Sequence, residues 1–389
     1  MTDPLSPTGL ERFAEVAAGH VGPETVPGLV ALVCSGEQVH VEALGSLSVG
    51  GPPVSRSSQF RISSTSKPVT GAAVMALVDE GLVSLDDTVE TWLPELADRQ
   101  VLGRMDGPLD DTVPAARPIT VRDLATFTFG FGMVVEMFTA PRPWPVVAAA
   151  ADLCLGTLGP PNPDKQPDPD TWIAALGSLP LLAHPGHRWL YNTGATVLGV
   201  LAERAAGTAF PDVVRTRLLE PLGMGDTAFW ASDTSRLATA YAPGPDGLAV
   251  WDPPDGQWGH PPALADGAAG LVSTADDLLA FARMFLASGA PALSAGAVAQ
   301  MTADQLTADQ RAGAPDAFLR GRSWGLCQSV ITEGARAGSF GWDGGLGTSW
   351  LVDPSRDLIV IVLTQRLWQT SRPPAVHDDL QDAAYAALT

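Results

Sequence analysis

Lysine is almost absent from this chain of 389 residues, in which Lys67 and Lys165 are the two examples and arginine supplies the other basic side chains. Acidic residues are in excess, with 43 Asp and Glu against 23 Lys and Arg, so the formal net charge is −20. A surface this acidic is repelled by phosphate backbones and by anionic lipids. The composition therefore argues against nucleic acid and membranes as partners, and it leaves the oligomeric state open.

Cysteine is scarce as well. Cys34, Cys154 and Cys327 are odd in number, far apart and not in a metal-ligand spacing, which predicts free, buried thiols in a reducing compartment. The six histidines have no ligand spacing either, so we expect no metal and no cofactor. No run approaches the about 18 apolar residues of a membrane span. Residues 1–7 also lack the basic and apolar regions of a secretion signal, and together these features predict a cytoplasmic location.

The apolar pattern predicts strands near both ends of the chain and helices between them. Strands are predicted at residues 29–34, 39–44, 324–331, 336–342, 348–352 and 358–364, and helices at residues 10–21, 64–81 and 374–387. A further helix is predicted to begin at Ser273 or Thr274, with Asp276 or Asp277 closing a capping box. The proline-rich stretches at 141–145 and 159–170 predict loops of the kind that form lids or pocket walls.

This order of elements predicts an α/β fold of the α+β type, in a single catalytic domain over residues 1–389. One antiparallel sheet would be assembled from both chain ends and flanked by helices, in a lobe of residues 1–88 and 316–389. Residues 89–315 would form a second, mostly helical lobe that contains the proline-rich loops. A cleft between the two lobes is the expected place for a ligand.

The strongest chemical signal is the pattern S-x-x-K, formed by Ser64 and Lys67. Residues three apart share one face of a helix, so the hydroxyl and the amine can meet in the first turn. The positive end of the helix dipole there stabilises an alkoxide and lowers the pKa of a nearby lysine. The pattern is short and occurs often by chance. A chain that avoids lysine but places one where arginine could not be deprotonated nevertheless favours a nucleophile and its base over a capped structural helix.

A wider resemblance surrounds this motif. Residues 64–81 (STSKPVTGAAVMALVDEG) and 82–89 (LVSLDDTV) resemble the nucleophile helix of the serine β-lactamase and penicillin-binding superfamily, with the closest similarity to class C-like members. Further segments match in order and spacing at residues 185–194 (PGHRWLYNTG), 198–201 (LGVL), 220–224 (EPLGM), 270–278 (GLVSTADDL) and 344–354 (GGLGTSWLVDP). The resemblance covers residues 10 to 385 and implies the β-lactamase/D,D-peptidase-like fold.

The resemblance also assigns roles to residues. Tyr191 takes the position of the catalytic tyrosine, which exchanges a proton with the serine or the leaving group. The family usually has Tyr-x-Asn here, but the third residue of this chain is Thr193, so the substrate-binding Asn is absent. Gly345 would supply one backbone N–H of the oxyanion hole and Ser64 the other.

The family's third motif, Lys-Thr-Gly or His-x-Gly, appears as Trp342, Asp343 and Gly344, which we expect to bind substrate. Tryptophan replaces the cation that helps to bind the carboxylate of β-lactams. In having tryptophan at this position, the chain resembles the carboxylesterases known as family VIII. Position in the chain further suggests Phe129, Phe131 and Trp144 as an apolar pocket wall beside Trp342; core packing is the alternative for these three.

A second serine motif has to be weighed. Residues 321–325 (GRSWG) fit G-x-S-x-G, the nucleophile elbow, which requires a strand before the serine and a helix after it. Here a loop-like segment precedes Ser323 and a strand-like run follows. We therefore interpret Ser323 as the start of a sheet strand.

Three functions remain open. The leading hypothesis is a carboxylesterase that cleaves small-molecule esters through an acyl-enzyme on Ser64. The second is a β-lactamase, D,D-peptidase or D-amino-acid amidase, disfavoured by Trp342 and Thr193. The third is a non-catalytic binding protein with the same fold, against which the retention of Ser64, Lys67 and Tyr191 argues.

Overall fold

An antiparallel sheet assembled from both ends of the chain organises the structure. The computed structural model describes residues 4–245, 247–312, 314, 316–319, 321–370 and 372–389. Within them the main sheet has seven strands: β1 (Gly28–Ser35), β2 (Gln38–Gly45), β3 (Arg322–Trp324), β4 (Ser329–Ile331), β5 (Phe340–Gly344), β6 (Thr348–Asp353) and β7 (Leu358–Thr364). Their order is β2-β1-β7-β6-β5-β4-β3, so the first and last parts of the chain pair directly. The predicted fold class is confirmed.

Most of the helices lie between β2 and β3 in the chain. The helices of the described residues are α1 (Pro7–His20), α2 (Ser66–Asp79), α3 (Val121–Ala125), α4 (Val135–Thr139), α5 (Pro145–Asp152), α6 (Pro169–Ser178), α7 (Thr193–Ala206), α8 (Phe210–Val214), α9 (Glu220–Leu222), α10 (Ala275–Leu286), α11 (Ala295–Thr302), α12 (Ala308–Ala312), α13 (Asp316–Leu319) and α14 (Ala375–Ala386). Short strand pairs join Phe60–Arg61 to Val272–Ser273, Gln100–Leu102 to Thr112–Pro114, and Ala240–Gly244 to Gly247–Asp252. The division into lobes at residues 88/89 and 315/316 stays a prediction.

The sheet is covered on both faces. Every residue of β1 is buried, and successive side chains enter different clusters because they point to opposite sides of a strand. Leu29 and Ala31 join a cluster with α1 and α14, whereas Val30 and Leu32 join the large core formed with the other helices. The sheet is therefore a middle layer between α1 and α14 on one face and the helical part of the chain on the other.

Two strand predictions are wrong in detail. Residues 324–331 form two strands, β3 and β4, rather than one. The chain reverses at Gly325, where a side chain would lie 2.1 Å from the Met301 carbonyl oxygen, and at Cys327, whose φ is +60°. The strand predicted at 336–342 begins only at Phe340. An apolar, β-rich composition does not show where a chain turns.

Two other local predictions, for residues 159–170 and for the start of α10, differ from the structure in smaller ways. The stretch 159–170 contains a 3₁₀ turn at Pro163–Lys165 and the first residues of α6, so it is not wholly irregular. Thr274 is the N-cap of α10, but the Asp277 carboxylate accepts from the Asp226 N–H and the Thr227 hydroxyl instead of returning to the cap.

The cysteines and the helix lengths bear on two further predictions. All three cysteines are free; Cys34 and Cys327 are buried, but Cys154 is exposed, so the prediction of three buried thiols is wrong for Cys154. No helix within the described residues is both long and apolar enough to cross a bilayer.

The packing of α14 on the sheet yields a stability prediction. Leu380 has no exposed surface and lies in the cluster between α14, α1 and the sheet. Leu380→Ala should lower the free energy of unfolding by about 2–5 kcal/mol, because it removes buried methyl groups and leaves a cavity. The matched control is Leu82→Ala, at a leucine that is 46% exposed, and it should cost under about 0.5 kcal/mol. Denaturant titration measures both values, and equal losses would contradict the packing of α14.

Candidate active site

Ser64 lies at the entrance to α2. It occupies a 3₁₀ turn, Ser63–Thr65, one step before the helix proper begins at Ser66. Ser63 adopts φ +48°, an unusual conformation for a residue other than glycine. The Thr348 hydroxyl of β6 donates to the Ile62 carbonyl at 2.8 Å and lies 3.1 Å from the Thr65 hydroxyl oxygen. The sheet thus holds the turn that presents Ser64.

Lys67 lies directly beneath Ser64. Its Nζ is 2.9 Å from Ser64 Oγ and donates to the Ala268 carbonyl oxygen at 2.8 Å. The side chain has no exposed surface, and this burial lowers the pKa of Lys67 to about 7, with Asp266 and Cys327 opposing the shift. Near neutral pH a large share of the amine is therefore unprotonated, with a lone pair free to accept the Ser64 proton. The other lysine, Lys165, is exposed.

Tyr191 approaches Ser64 from the segment before α7. Its backbone pairs with Met133, and its ring lies 4.7 Å from Lys67 Nζ. The hydroxyl accepts the Trp342 indole N–H at 2.7 Å, and an interaction with the Ser64 side chain favours the ionised form of the phenol. Burial raises the pKa of Tyr191 well above its usual value. The phenol therefore stays neutral at physiological pH, and Lys67 is the better base of the two.

The Trp342 indole determines which group donates and which accepts in its hydrogen bond with Tyr191. An indole N–H donates and cannot accept, so the Tyr191 oxygen must be the acceptor from Trp342. The Tyr191 proton is then free to point at Ser64, and the Ser64 proton at neutral Lys67. Hydrogen bonds join Trp342 to Tyr191, and they join Lys67 to Ser64 and to the Ala268 carbonyl. The side chains of Tyr191 and Ser64 interact between these two groups.

The residues of the third motif, on β5 and in the turn after it, lie in different surroundings. Gly344 faces the Ser64 turn so closely that a Cβ atom would lie 2.4 Å from the Ile62 carbonyl oxygen. Gly345 follows with open space where a side chain would be, which suits a backbone N–H that must meet substrate. Asp343 points the opposite way, 3.5 Å from an Arg322 nitrogen and 3.9 Å from a His377 nitrogen. The structure therefore places Asp343 behind the sheet and not beside Ser64.

The aromatic residues suggested for a pocket wall are distributed differently. Phe129 and Phe131 have no exposed surface and lie in the core, and Trp144 is half-buried before α5. Thr193 is fully buried and accepts the Thr157 hydroxyl at 2.9 Å. None of these contacts brings Phe129, Phe131 or Trp144 to Ser64, so the part of these three residues in substrate binding stays a prediction.

Other aromatic side chains surround Tyr191 instead. Phe318 stacks on its ring with centroids 4.9 Å apart, and Trp189 stacks at 5.5 Å. Trp324 meets Trp342 edge to face at 4.7 Å. The sequence did not predict that Phe318, Trp189 and Trp324 pack around the site. Trp189 lies in the segment 185–194 that resembles the family, so its place beside Tyr191 could have been inferred from the sequence. Phe318 lies in a stretch with no periodic pattern and gave no such signal.

Ser323 is not a nucleophile elbow. It lies inside β3, has no exposed surface, and donates its hydroxyl to Asp304. Arg311 also donates to its oxygen at 3.3 Å. The interpretation of Ser323 as part of a sheet strand is confirmed.

The arrangement of these side chains suits nucleophilic attack by a serine hydroxyl. In the described part of the chain, no group of three or more His, Cys, Asp or Glu side chains has the arrangement of a metal site. The Ser64 hydroxyl lies beside a buried amine, whose pKa is lowered to about 7, and near a phenol that stays neutral. This fold and site define a serine hydrolase.

Comparison with known proteins agrees. The sequence profile of the Beta-lactamase family matches residues 13–385, and the chain belongs to that family. An uncharacterized protein of Mycobacterium tuberculosis is 37% identical over 361 residues, 87% of this chain and 85% of its own length. Esterase EstB of Burkholderia gladioli is 30% identical over 386 residues, 92% of this chain and 91% of its own.

A solved structure shows the same fold. EstCE1, described as a hydrolase with promiscuous acyltransferase activity, superposes with a TM-score of 0.82 at 24% identity. The superposition covers 97% of this chain and 99% of the other. The family and the fold implied by the sequence motifs are confirmed.

The burial of Lys67 predicts the effect of one substitution. Lys67→Arg keeps a positive charge and a similar length, but a guanidinium cannot give up its proton at working pH. Acylation should slow by about 10²–10⁴, the usual loss when a general base is removed. Single-turnover kinetics with a p-nitrophenyl ester measures the rate. Lys165→Arg, the same change at an exposed lysine, is the control and should retain full activity. A folded Lys67→Arg protein with rates within a few-fold of wild type would refute the role of Lys67.

Proposed function

We propose that this protein hydrolyses small carboxylic esters through an acyl-enzyme on Ser64. The observation that supports this most directly is the 2.9 Å approach of Ser64 Oγ to Lys67 Nζ, in a lysine with no exposed surface. A buried amine with a pKa near neutrality is suited to general-base catalysis. The 30% identity to Esterase EstB supports the choice of esters as substrate class.

Acylation begins with attack of Ser64 Oγ on the ester carbonyl carbon. The Ser64 proton passes to Lys67 Nζ as the new C–O bond forms. The carbonyl oxygen becomes an oxyanion, which the backbone N–H groups of Ser64 and Gly345 would stabilise. Collapse of this intermediate breaks the bond to the alcohol, and the alcohol leaves with a proton that Lys67 supplies either directly or through Tyr191. In the second case Tyr191 gives its own proton to the alcohol and takes the proton of Lys67.

Deacylation repeats these steps with water in place of Ser64. A water molecule attacks the acyl carbon and gives its proton to Lys67. The bond to Ser64 breaks, the carboxylic acid leaves and Ser64 takes back the proton. No cofactor is needed, and the partner is a small-molecule ester.

The local chemistry favours neutral esters over β-lactams and peptides with a free carboxylate. On β5 the side chain that faces Tyr191 is the indole of Trp342, which is 5% exposed. Its one N–H is already used by Tyr191, so Trp342 has no free donor for an anionic group. Thr193 has no side-chain amide to bind substrate, and its hydroxyl accepts a hydrogen bond from Thr157. We also propose a reducing compartment such as the cytoplasm, because the three cysteines are free thiols.

Covalent labelling tests the nucleophile and its base together. Phenylmethylsulfonyl fluoride should modify Ser64: Oγ bonds to sulfur, fluoride leaves, and the proton passes to Lys67. Because Lys67 must be unprotonated, the labelling rate should rise with pH and level off above a midpoint near the Lys67 pKa of about 7. Peptide mapping by mass spectrometry identifies the site. Ser323→Ala is the control and should still be labelled, whereas Ser64→Ala should not. Label on Ser323 would overturn the assignment.

Substrate charge gives a second test. We expect wild-type kcat/KM to be higher for a neutral p-nitrophenyl ester than for its carboxylate-bearing analogue. Trp342→Lys should lower that ratio by supplying a cation. Trp342→Phe keeps the ring but loses the N–H to Tyr191. It should preserve the ratio and lower kcat roughly threefold to tenfold, as expected for one hydrogen bond.

Two results would contradict this specificity. One is a wild-type preference for the carboxylate analogue, which would show that Trp342 does not determine the charge of the preferred substrate. The other is turnover of a chromogenic cephalosporin at least as fast as that of the neutral ester, which would favour a β-lactamase. Either result leaves the Ser64 mechanism intact.

A further inference from the structure

Asp266 is a buried acid next to the proposed catalytic centre that the ester mechanism does not use. It is 4% exposed, and one carboxylate oxygen accepts two hydrogen bonds. The donors are the Thr196 hydroxyl at 2.7 Å and the Ala268 backbone N–H at 2.9 Å. A buried carboxyl with two donors on one oxygen is stabilised as the anion against the cost of burial.

The segment that follows Asp266 connects the two helices that matter for catalysis. Thr196 belongs to α7, the helix that begins two residues after Tyr191. Gly267 accepts the hydroxyl of Thr70 from α2 at 2.7 Å, and the Ala268 carbonyl accepts Lys67 Nζ. Asp266 thus holds in place the carbonyl that orients the Lys67 amine toward Ser64.

Few groups near Lys67 can carry charge. Burial raises the pKa of Cys327 to about 12 and that of Tyr191 above its usual value, so both stay neutral near pH 7. Asp343 lies on the far side of β5 and acts on Tyr191 rather than on Lys67. Burial raises the pKa of Asp266 above its ordinary value, and its two hydrogen bonds and the charge of Lys67 offset only part of that rise. Asp266 is the acidic group whose charge acts on Lys67.

We propose that the Asp266 carboxylate is a positioning residue that sets the proton affinity of Lys67, and through it the pH range in which Ser64 is reactive. The inference rests on the proposed function, in which Lys67 is the general base. A negative charge beside an amine stabilises the ammonium form, so Asp266 opposes the effect of burial. The base then remains strong enough to remove the Ser64 proton, while burial keeps part of it unprotonated at neutral pH.

The test is the pH profile of labelling by phenylmethylsulfonyl fluoride. Asp266→Asn retains an oxygen for both hydrogen bonds and removes the charge. Its midpoint should move to lower pH than in wild type. At pH 6 the variant should reach at least about 2.5 times the wild-type fraction of its own plateau rate, equivalent to half a pKa unit. A residue that only holds the backbone would leave the midpoint where it is.

Asp277→Asn is a matched control elsewhere in the chain. One oxygen of Asp277 also accepts a threonine hydroxyl at 2.7 Å and a backbone N–H at 2.9 Å. The side chain is 7% exposed, and its carboxylate binds Thr227 and the Asp226 backbone rather than Lys67 or Ser64. This variant should keep the wild-type midpoint.

Thr196→Val provides a second route if Asp266→Asn does not fold. It conserves side-chain shape but removes a donor that favours the charged carboxylate, so the midpoint should move in the same direction by a smaller amount. The proposal is overturned if folded Asp266→Asn, or folded Thr196→Val in its absence, keeps the wild-type midpoint. It is also overturned if Asp277→Asn shifts equally. Wild-type protein that is not labelled at Ser64 would instead refute the proposed function.

Discussion

Dehydration of one lysine is the constraint on which the rest of the site depends. Lys67 has no exposed surface, and its pKa falls from 10.5 in solution to about 7. At 1.36 kcal/mol per unit, holding this amine in the folded state costs on the order of 4–5 kcal/mol near neutral pH. Between these two pKa values the unfolded chain binds more protons than the folded one, so this contribution makes stability rise with pH from about 7 to about 10. A typical protein is stable by only about 5–15 kcal/mol.

The surrounding structure is organised to meet that cost. The nucleophile turn is held by Thr348 of β6, and the Lys67 amine is held by Ala268, a residue 201 positions away. Both Thr348 and Ala268 are fully buried. The sheet built from both chain ends therefore does more than form a core, since it fixes one side of the Ser64 turn while the helices enclose Lys67.

Local and distant features of the site differed in how far sequence could predict them. The approach of Lys67 to Ser64 follows from a spacing of three residues, so it was predictable from helical geometry alone. The position of Tyr191 was expected only from the family resemblance, because 127 residues of chain separate it from Ser64. Asp266 had no signal at all. Its importance depends on a turn that folds back against α2, and a single acidic residue in a loop-like stretch does not reveal its neighbour. Likewise, the division of residues 324–331 into two strands depends on the Met301 carbonyl, which lies outside that segment.

The replacement of the family's cation by Trp342 has a consequence for Lys67 as well as for substrate charge. A cation on β5 would lower the pKa of a neighbouring lysine by direct repulsion. Trp342 carries no charge and contributes a donor to Tyr191 instead. Burial is accordingly the main cause of the lowered Lys67 pKa, and the charges that act on it, Asp266 and Cys327, work in the opposite direction. The reactivity of Ser64 therefore depends on packing: any change that admits water to Lys67 raises its pKa and weakens the base at neutral pH, even if no catalytic side chain is altered.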